Sequence, residues 1–141
     1  MAWRFEGRLT IIVHGPRNPS NLEWQSMLRD GIALDRIENG RTVVISYGGG
    51  PDGQQRELLT QHMAKRPAPT AILTKSALVR AITAALLFFN RSMKVFGLDE
   101  QDRAAEFLGL SPDERDLVGR TRRELETELG LGTTTVLTGH L

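Results

Sequence analysis

The chain has 141 residues, a formal net charge of +1, 40% hydrophobic and 25% charged residues, and no cysteine. That length and mix suit a single globular domain whose core needs no metal or disulfide staple. The missing cysteine excludes disulfides, thiolate nucleophiles and cysteine-ligated metals, and the near-zero charge supplies no field that would draw nucleic acid or an anionic membrane.

Trp3, Phe5, Gly7, Leu9, Ile11 and Val13 fall on alternate positions, the period of a strand with one buried face. Gly7 interrupts the run, so a short hairpin is expected: Trp3 to Phe5, a turn, then Leu9 to Val13. His14-Gly15-Pro16-Arg17-Asn18-Pro19 forms a loop, because its prolines and glycine cannot extend the strand. Ser20 and Glu23 have the spacing of a capping box and open a first helix with Trp24, Met27, Leu28, Gly31, Ile32 and Leu34 on its apolar side, ending at Asn39-Gly40. Thr42 to Tyr47 is β-branched and apolar, a strand covered on both faces, and Gly48-Gly49-Gly50-Pro51 ends it.

Asp52 with Gln55 caps a second helix reaching about Lys65, which Arg66-Pro67-Ala68-Pro69 breaks. A strand over Thr70 to Thr74 follows, then a third helix capped by Thr74 or Ser76, then a short strand Met93 to Phe96. Asp99 with Asp102 opens a fourth helix that closes at Gly109, and Ser111-Pro112-Asp113-Glu114 opens a fifth that ends at Gly130. The predicted fold is α/β: a mostly parallel sheet of four to five strands with an antiparallel N-terminal edge strand, and helices packed on it. Residues 1–130 form the domain, and 131–141 a loose tail in which Thr134 to Thr138 could pair as an edge strand.

Sites in such sheets gather beyond the carboxyl ends of the strands, beside helix N-termini. The loops there offer His14, Arg17, Gly48, Gly49, Gly50, Lys75, Ser76 and Asp99. His14 is the one with a reference pKa suited to acid–base work near neutrality, although a plain loop position explains it equally. Gly48 to Gly50 reads either as a tight strand exit or as a backbone nest open to an anion, with Pro51 removing one amide donor. Lys75 and Ser76 read as an anion site or as ordinary helix capping. No catalytic constellation is assembled by these letters, and no cofactor is implied. His62 reads as a packed residue and His140 as part of the tail, so the histidines have no metal-ligand spacing.

The third helix is apolar around most of its circumference. Leu78, Ile82, Ala85, Leu86 and Phe89 account for a sheet-facing stripe, which leaves Val79, Thr83, Leu87 and Phe88 either as a candidate interface for a protein partner or a second copy, or buried under the fifth helix or the tail. The apolar run 77–89 around it is too short to cross a bilayer, so no stable membrane insertion is expected. Met1 to Glu6 has no cationic stretch before an apolar run, so no signal peptide is expected and a cytoplasmic location follows. The mixed charges of the fifth helix, Arg120, Arg122 and Arg123 among acids, describe a solvated, ion-paired face and lack the aromatic interleaving of a nucleic-acid platform.

The element order from about residue 3 to 110, with the segment Pro69 to Arg80 and its continuation Asn90 to Phe96, resembles the STAS, or SpoIIAA-like, family of bacterial anti-sigma-factor antagonists. The resemblance implies a small cytoplasmic signalling module. Phosphoswitching members carry a serine or threonine at the start of the helix after the central strand, whereas Gly48 to Gly53 contains no hydroxyl, and the helix after Ser111 is an addition. The expectation is therefore a non-enzymatic regulatory or scaffolding interaction module, a homodimer without the usual switch. The alternative is a small-molecule or anion-binding protein, with a hydrolase-type version, built on the strand-end loops.

Overall fold

A computed structural model describes residues 1–33, 39–65, 68–87 and 92–131, without the side chains of 32–33, 62–65 and 85–87. Strands β1 (Ala2–Glu6) and β2 (Leu9–His14) form the expected hairpin, antiparallel and closed by Gly7-Arg8 between the paired Glu6 and Leu9. Strands β3 (Arg41–Ser46), β4 (Thr70–Thr74) and β5 (Met93–Phe96) then add in parallel, in the order β1-β2-β3-β4-β5. Helices α1 (Asn21–Ala33), α2 (Gly53–Lys65) and α3 (Ala77–Leu87) are the crossovers between neighbouring parallel strands. Crossovers of one hand, all stepping the same way across a sheet, must leave their helices on the same face. Helices α4 (Gln101–Leu108) and α5 (Pro112–Glu128) cover the opposite face.

The two faces are packed very differently. On the α4–α5 side, Leu9, Ile11, Val13, Val43, Ile45, Ala71 and Leu73 from the strands meet Ala105, Leu108, Val118 and Leu125 in one continuous core. On the α1–α3 side the described residues form two small clusters, Ile12 with Trp24 and Met27, and Ile72 with Val79 and Met93, which share the half-buried Val44.

Helix starts are set locally, as the capping letters predict. Ser20 Oγ accepts from the Glu23 amide at 3.1 Å, and Glu23 Oε1 accepts from the Ser20 amide at 3.0 Å. Asp52 and Gln55 exchange the same pair at 2.8 and 2.9 Å. Ser111 and Glu114 do so before α5, with Pro112 in the first turn. Replacing Ser111 with alanine should therefore cost about 1 kcal/mol, read as a lower urea midpoint at unchanged slope; an unchanged midpoint would remove the cap from the account of α5.

Several sequence expectations are corrected. Glu100, not Asp99, flanks the start of α4, and its carboxylate accepts from the Gly97 amide at 2.7 Å instead of capping the helix. Leu78, assigned to the sheet-facing stripe, is 67% exposed, while Val79 and Thr83 are 9% and 2% exposed and turned inward. A helix apolar on nearly every side has no periodicity to fix which arc meets the sheet. The charged face of α5 is not wholly solvated. Arg122 donates to Leu98 O and Gln101 Oε1 at 3.0 Å and to Glu126 at 2.9 Å, and Glu126 accepts the Tyr47 hydroxyl, tying α5 to β3 and α4. Leu34 and Ile37, Phe88 and Phe89, and the expected tail from residue 132 lie outside the described residues.

Candidate functional site

The strand alternation builds the floor of a site on the α1–α3 face. Register pairs Thr10 with Thr42 and Thr42 with Thr70, Ile12 with Val44 and Val44 with Ile72, and His14 with Ser46 and Ser46 with Thr74. Three rows therefore cross the sheet: threonines at the amino ends, aliphatics in the middle, and His14, Ser46 and Thr74 at the carboxyl ends. The outer rows are four residues apart along a strand, about 13 Å.

Above this floor lies a cavity of about 730 Å³. Trp24 and Met27 from α1, Leu59 from α2, and Val79, Ile82 and Thr83 from α3 supply described parts of its wall. Trp24 is fixed in place because its indole N–H donates to Gln55 O at 3.1 Å, joining α1 to α2. Gln55 is itself buried and donates to Pro19 O and Asn21 Oδ1 at 3.1 and 2.9 Å. Protein interiors rarely leave voids larger than a water molecule. The cavity is open along part of its boundary, so a molecule can enter it from outside. The space is thus suited to an occupant, and its aliphatic walls offer water few partners.

His14 ends β2 at the polar end of this cavity. It is 4% exposed, its ring lies 6.4 Å from that of Trp24 at an interplanar angle of 26°, and its Nδ1 is buried with no hydrogen-bond partner. Burial, assisted by the Met1 ammonium and opposed by Glu23, pushes its pKa down to about 4. The imidazole is consequently neutral near pH 7 and can donate or accept one hydrogen bond without charge.

The structure brings only part of the predicted site together. His14, Gly49 and Gly50 line the cavity, joined by Ser46. Arg17 and Lys75 are exposed and Gly48 and Ser76 are half-buried, and none of the four is among the described lining residues. Each amide of Gly48 to Gly50 has a partner within the protein: Gly48 on Ser46 Oγ at 3.1 Å, Gly49 on Gly15 O at 2.8 Å, and Gly50 on Asn18 Oδ1 at 3.1 Å. Ser76 is a helix cap, its Oγ accepting from the Val79 amide at 3.2 Å while its own amide donates to Thr74 Oγ1 at 3.0 Å. Val79 and Thr83 face the cavity, so they are not available to a partner on the outer surface; Thr83 donates to Val79 O at 2.8 Å. The Leu87 side chain and Phe88, the other candidate interface positions, lie outside the described residues.

Trp24, Ile12, Val44 and Ile72 are site residues that the loop-centred reading missed. Their signal was present as a repeated pattern on one face of three strands: Thr-x-Ile-x-His, Thr-x-Val-x-Ser and Thr-x-Ile-x-Thr. Among the described residues no cluster of histidine, aspartate and glutamate could hold a metal, and no helix is long and apolar enough to cross a membrane. No protein-family model, curated protein or solved structure matches the chain, so the STAS resemblance rests on element order.

Proposed function

We propose that this protein binds an apolar small molecule in the slot between the sheet and helices α1–α3. The observation that carries the reading is the cavity of about 730 Å³ with an aliphatic middle row and the buried His14 imidazole at one end. Its size falls within the usual range for small-molecule sites, and apolar walls with few polar groups are their usual lining. The reading replaces the anion site, whose backbone donors are occupied, and it assigns no reaction: beside His14 the hydroxyl of Ser46 donates to Gly49 O at 2.6 Å and is not free as a nucleophile. The STAS-like element order supports a regulatory setting, in which an occupied slot stiffens α1–α3 and alters what their outer faces meet.

Diphenylhexatriene, a hydrocarbon dye that brightens in apolar surroundings, tests this directly. Saturable binding at one dye per chain is expected. Val44→Phe, which places an aromatic ring in the middle of the slot, should weaken binding at least about tenfold. Non-saturable fluorescence, or unchanged affinity in the folded variant, would sink the proposal.

A further inference from the structure

We infer that the slot is entered from the amino ends of β2 and β3, and that its occupant is a single-chain amphiphile whose oxygen-bearing head lies at the Thr10 and Thr42 hydroxyls, with its apolar chain running over Ile12 and Val44 toward Trp24. The inference rests on the slot being a binding site and adds the class and direction of what enters it.

The strands themselves place the two threonines. Side chains two residues apart on a strand share a face, so Thr10 lies on the side of Ile12, which packs against Trp24 and Met27, and Thr42 on the side of Val44. Register sets Thr10 beside Thr42, and both line the cavity. Both residues are half-buried, and among the described residues neither hydroxyl has a hydrogen-bond partner, while both oxygens stay accessible. Thr70, the third member of the row, is committed: its hydroxyl donates to Ala68 O at 3.0 Å. A threonine hydroxyl both donates and accepts, so the open pair can receive a hydroxyl, carbonyl or carboxyl oxygen. A ligand with no such atom would strip water from both hydroxyls and return nothing.

The opposite margin is closed. His14, Ser46 and Thr74 are all buried, Ser46 donates to Gly49 O at 2.6 Å, and Thr74 donates to Ser46 O at 3.0 Å. The loops after β2 and β3 meet there so closely that a Cβ at Gly49 would lie 2.0 Å from Arg17 O. At the amino margin the wall is bare instead: Gly7 and Gly40 line the slot, and a Cβ at either would meet nothing nearer than 3.8 Å. Open sheets of this kind usually take ligands beyond the carboxyl ends of their strands, whereas here the accessible hydroxyls and the thin wall are at the other end. From them the aliphatic row leads to Trp24, which stacks on His14 at the far margin, about 13 Å from the threonines.

Thr10→Val combined with Thr42→Val removes both hydroxyls and keeps the β-branched shape that suits a strand. Decan-1-ol, read by its displacement of diphenylhexatriene, should bind this double variant about tenfold more weakly than wild type, the worth of the lost hydrogen bonds. The dye, which has no oxygen, should bind both proteins alike, and that also shows that the variant is folded. Direction is read with bromine, a short-range quencher of indole fluorescence. In a Trp3→Phe background, which leaves Trp24 as the remaining tryptophan, decan-1-ol brominated at the far end of its chain should quench more strongly than decan-1-ol brominated beside its hydroxyl. Unchanged alcohol affinity in a double variant that still binds dye, or stronger quenching by the bromine beside the hydroxyl, would overturn the inference while leaving the slot a binding site. If the dye binds neither protein, the underlying reading fails and this one falls with it.

Discussion

Gly49→Ala should lower the melting temperature by about 10 °C, the largest single-residue effect expected outside the main core. A Cβ built at Gly49 would lie 2.0 Å from Arg17 O and 2.6 Å from Gly15 O. Both are backbone atoms, so no side chain can swing aside to make room. Relief requires the loop after β2 to move, and that loop holds the Gly49 amide through Gly15 O and the Gly50 amide through Asn18 Oδ1. The overpacking and the lost hydrogen bonds together come to roughly 3 kcal/mol, which for a domain of this size is about 10 °C. Gly50→Ala is the matched control, because a Cβ there meets nothing within 4 Å. Calorimetry should show the second variant within a degree or two of wild type. Equal melting temperatures for the two variants would refute the close-approach account. Because the loop that must move follows His14 directly and Gly49 lines the cavity, Gly49→Ala should also weaken dye binding.

The elements were legible because short-range chemistry decides them. Ser20 with Glu23, Asp52 with Gln55, and Ser111 with Glu114 are pairs three residues apart, and each forms the cap that its spacing predicts. The sheet followed from alternating strands and helices joined by short connections. The failures fall where a distant partner decides the outcome. The amides of Gly49 and Gly50 look free until a loop some thirty residues earlier supplies Gly15 O and Asn18 Oδ1 as acceptors. The inward arc of α3 could not be read because Leu78 and Val79 are equally apolar, and only packing separates 67% exposure from 9%.

The slot is an intermediate case. Each of β2, β3 and β4 carries polar, aliphatic and polar residues in turn on the α1–α3 face, while their other face is apolar apart from Arg41 at the start of β3. That contrast is visible in single strands. Its meaning depends on register: only because Thr10 pairs with Thr42, and Ile12 with Val44, do the letters line up as rows and leave a continuous aliphatic band between two polar margins. His14 was read as the first residue of the loop, whereas it is the last residue of β2, buried against a Trp24 whose indole Gln55 holds.

Acid should destabilise the protein through His14 before it does so through the carboxylates. The folded imidazole has a pKa of about 4 against 6.5 for an unperturbed histidine, with burial as the main cause. Above pH 6.5 it is neutral in both states and contributes no pH dependence. Below pH 6.5 the unfolded chain takes up a proton that the folded chain refuses, so stability falls as pH drops and the loss is complete near pH 4. The full difference is about 3 kcal/mol, at about 1.4 kcal/mol per unit. Glu114, whose pKa Arg8 and the Ser111 amide pull down to about 2, loses its contribution only below its ordinary value of 4.5. Glu23 is likewise lowered, chiefly by the Ser20 amide, and also loses its contribution only in the carboxylate range. The interval from pH 6.5 to 4.5 therefore isolates histidine, and comparison with His14→Phe isolates this one from His62 and His140. Urea unfolding at half-unit steps should show wild type losing stability across that interval with a slope that the variant lacks, and the variant should be the more stable of the two at pH 5. Parallel profiles for the two proteins would mean that His14 takes up its proton in the folded state, and that the polar end of the slot is wet enough to hold a charge.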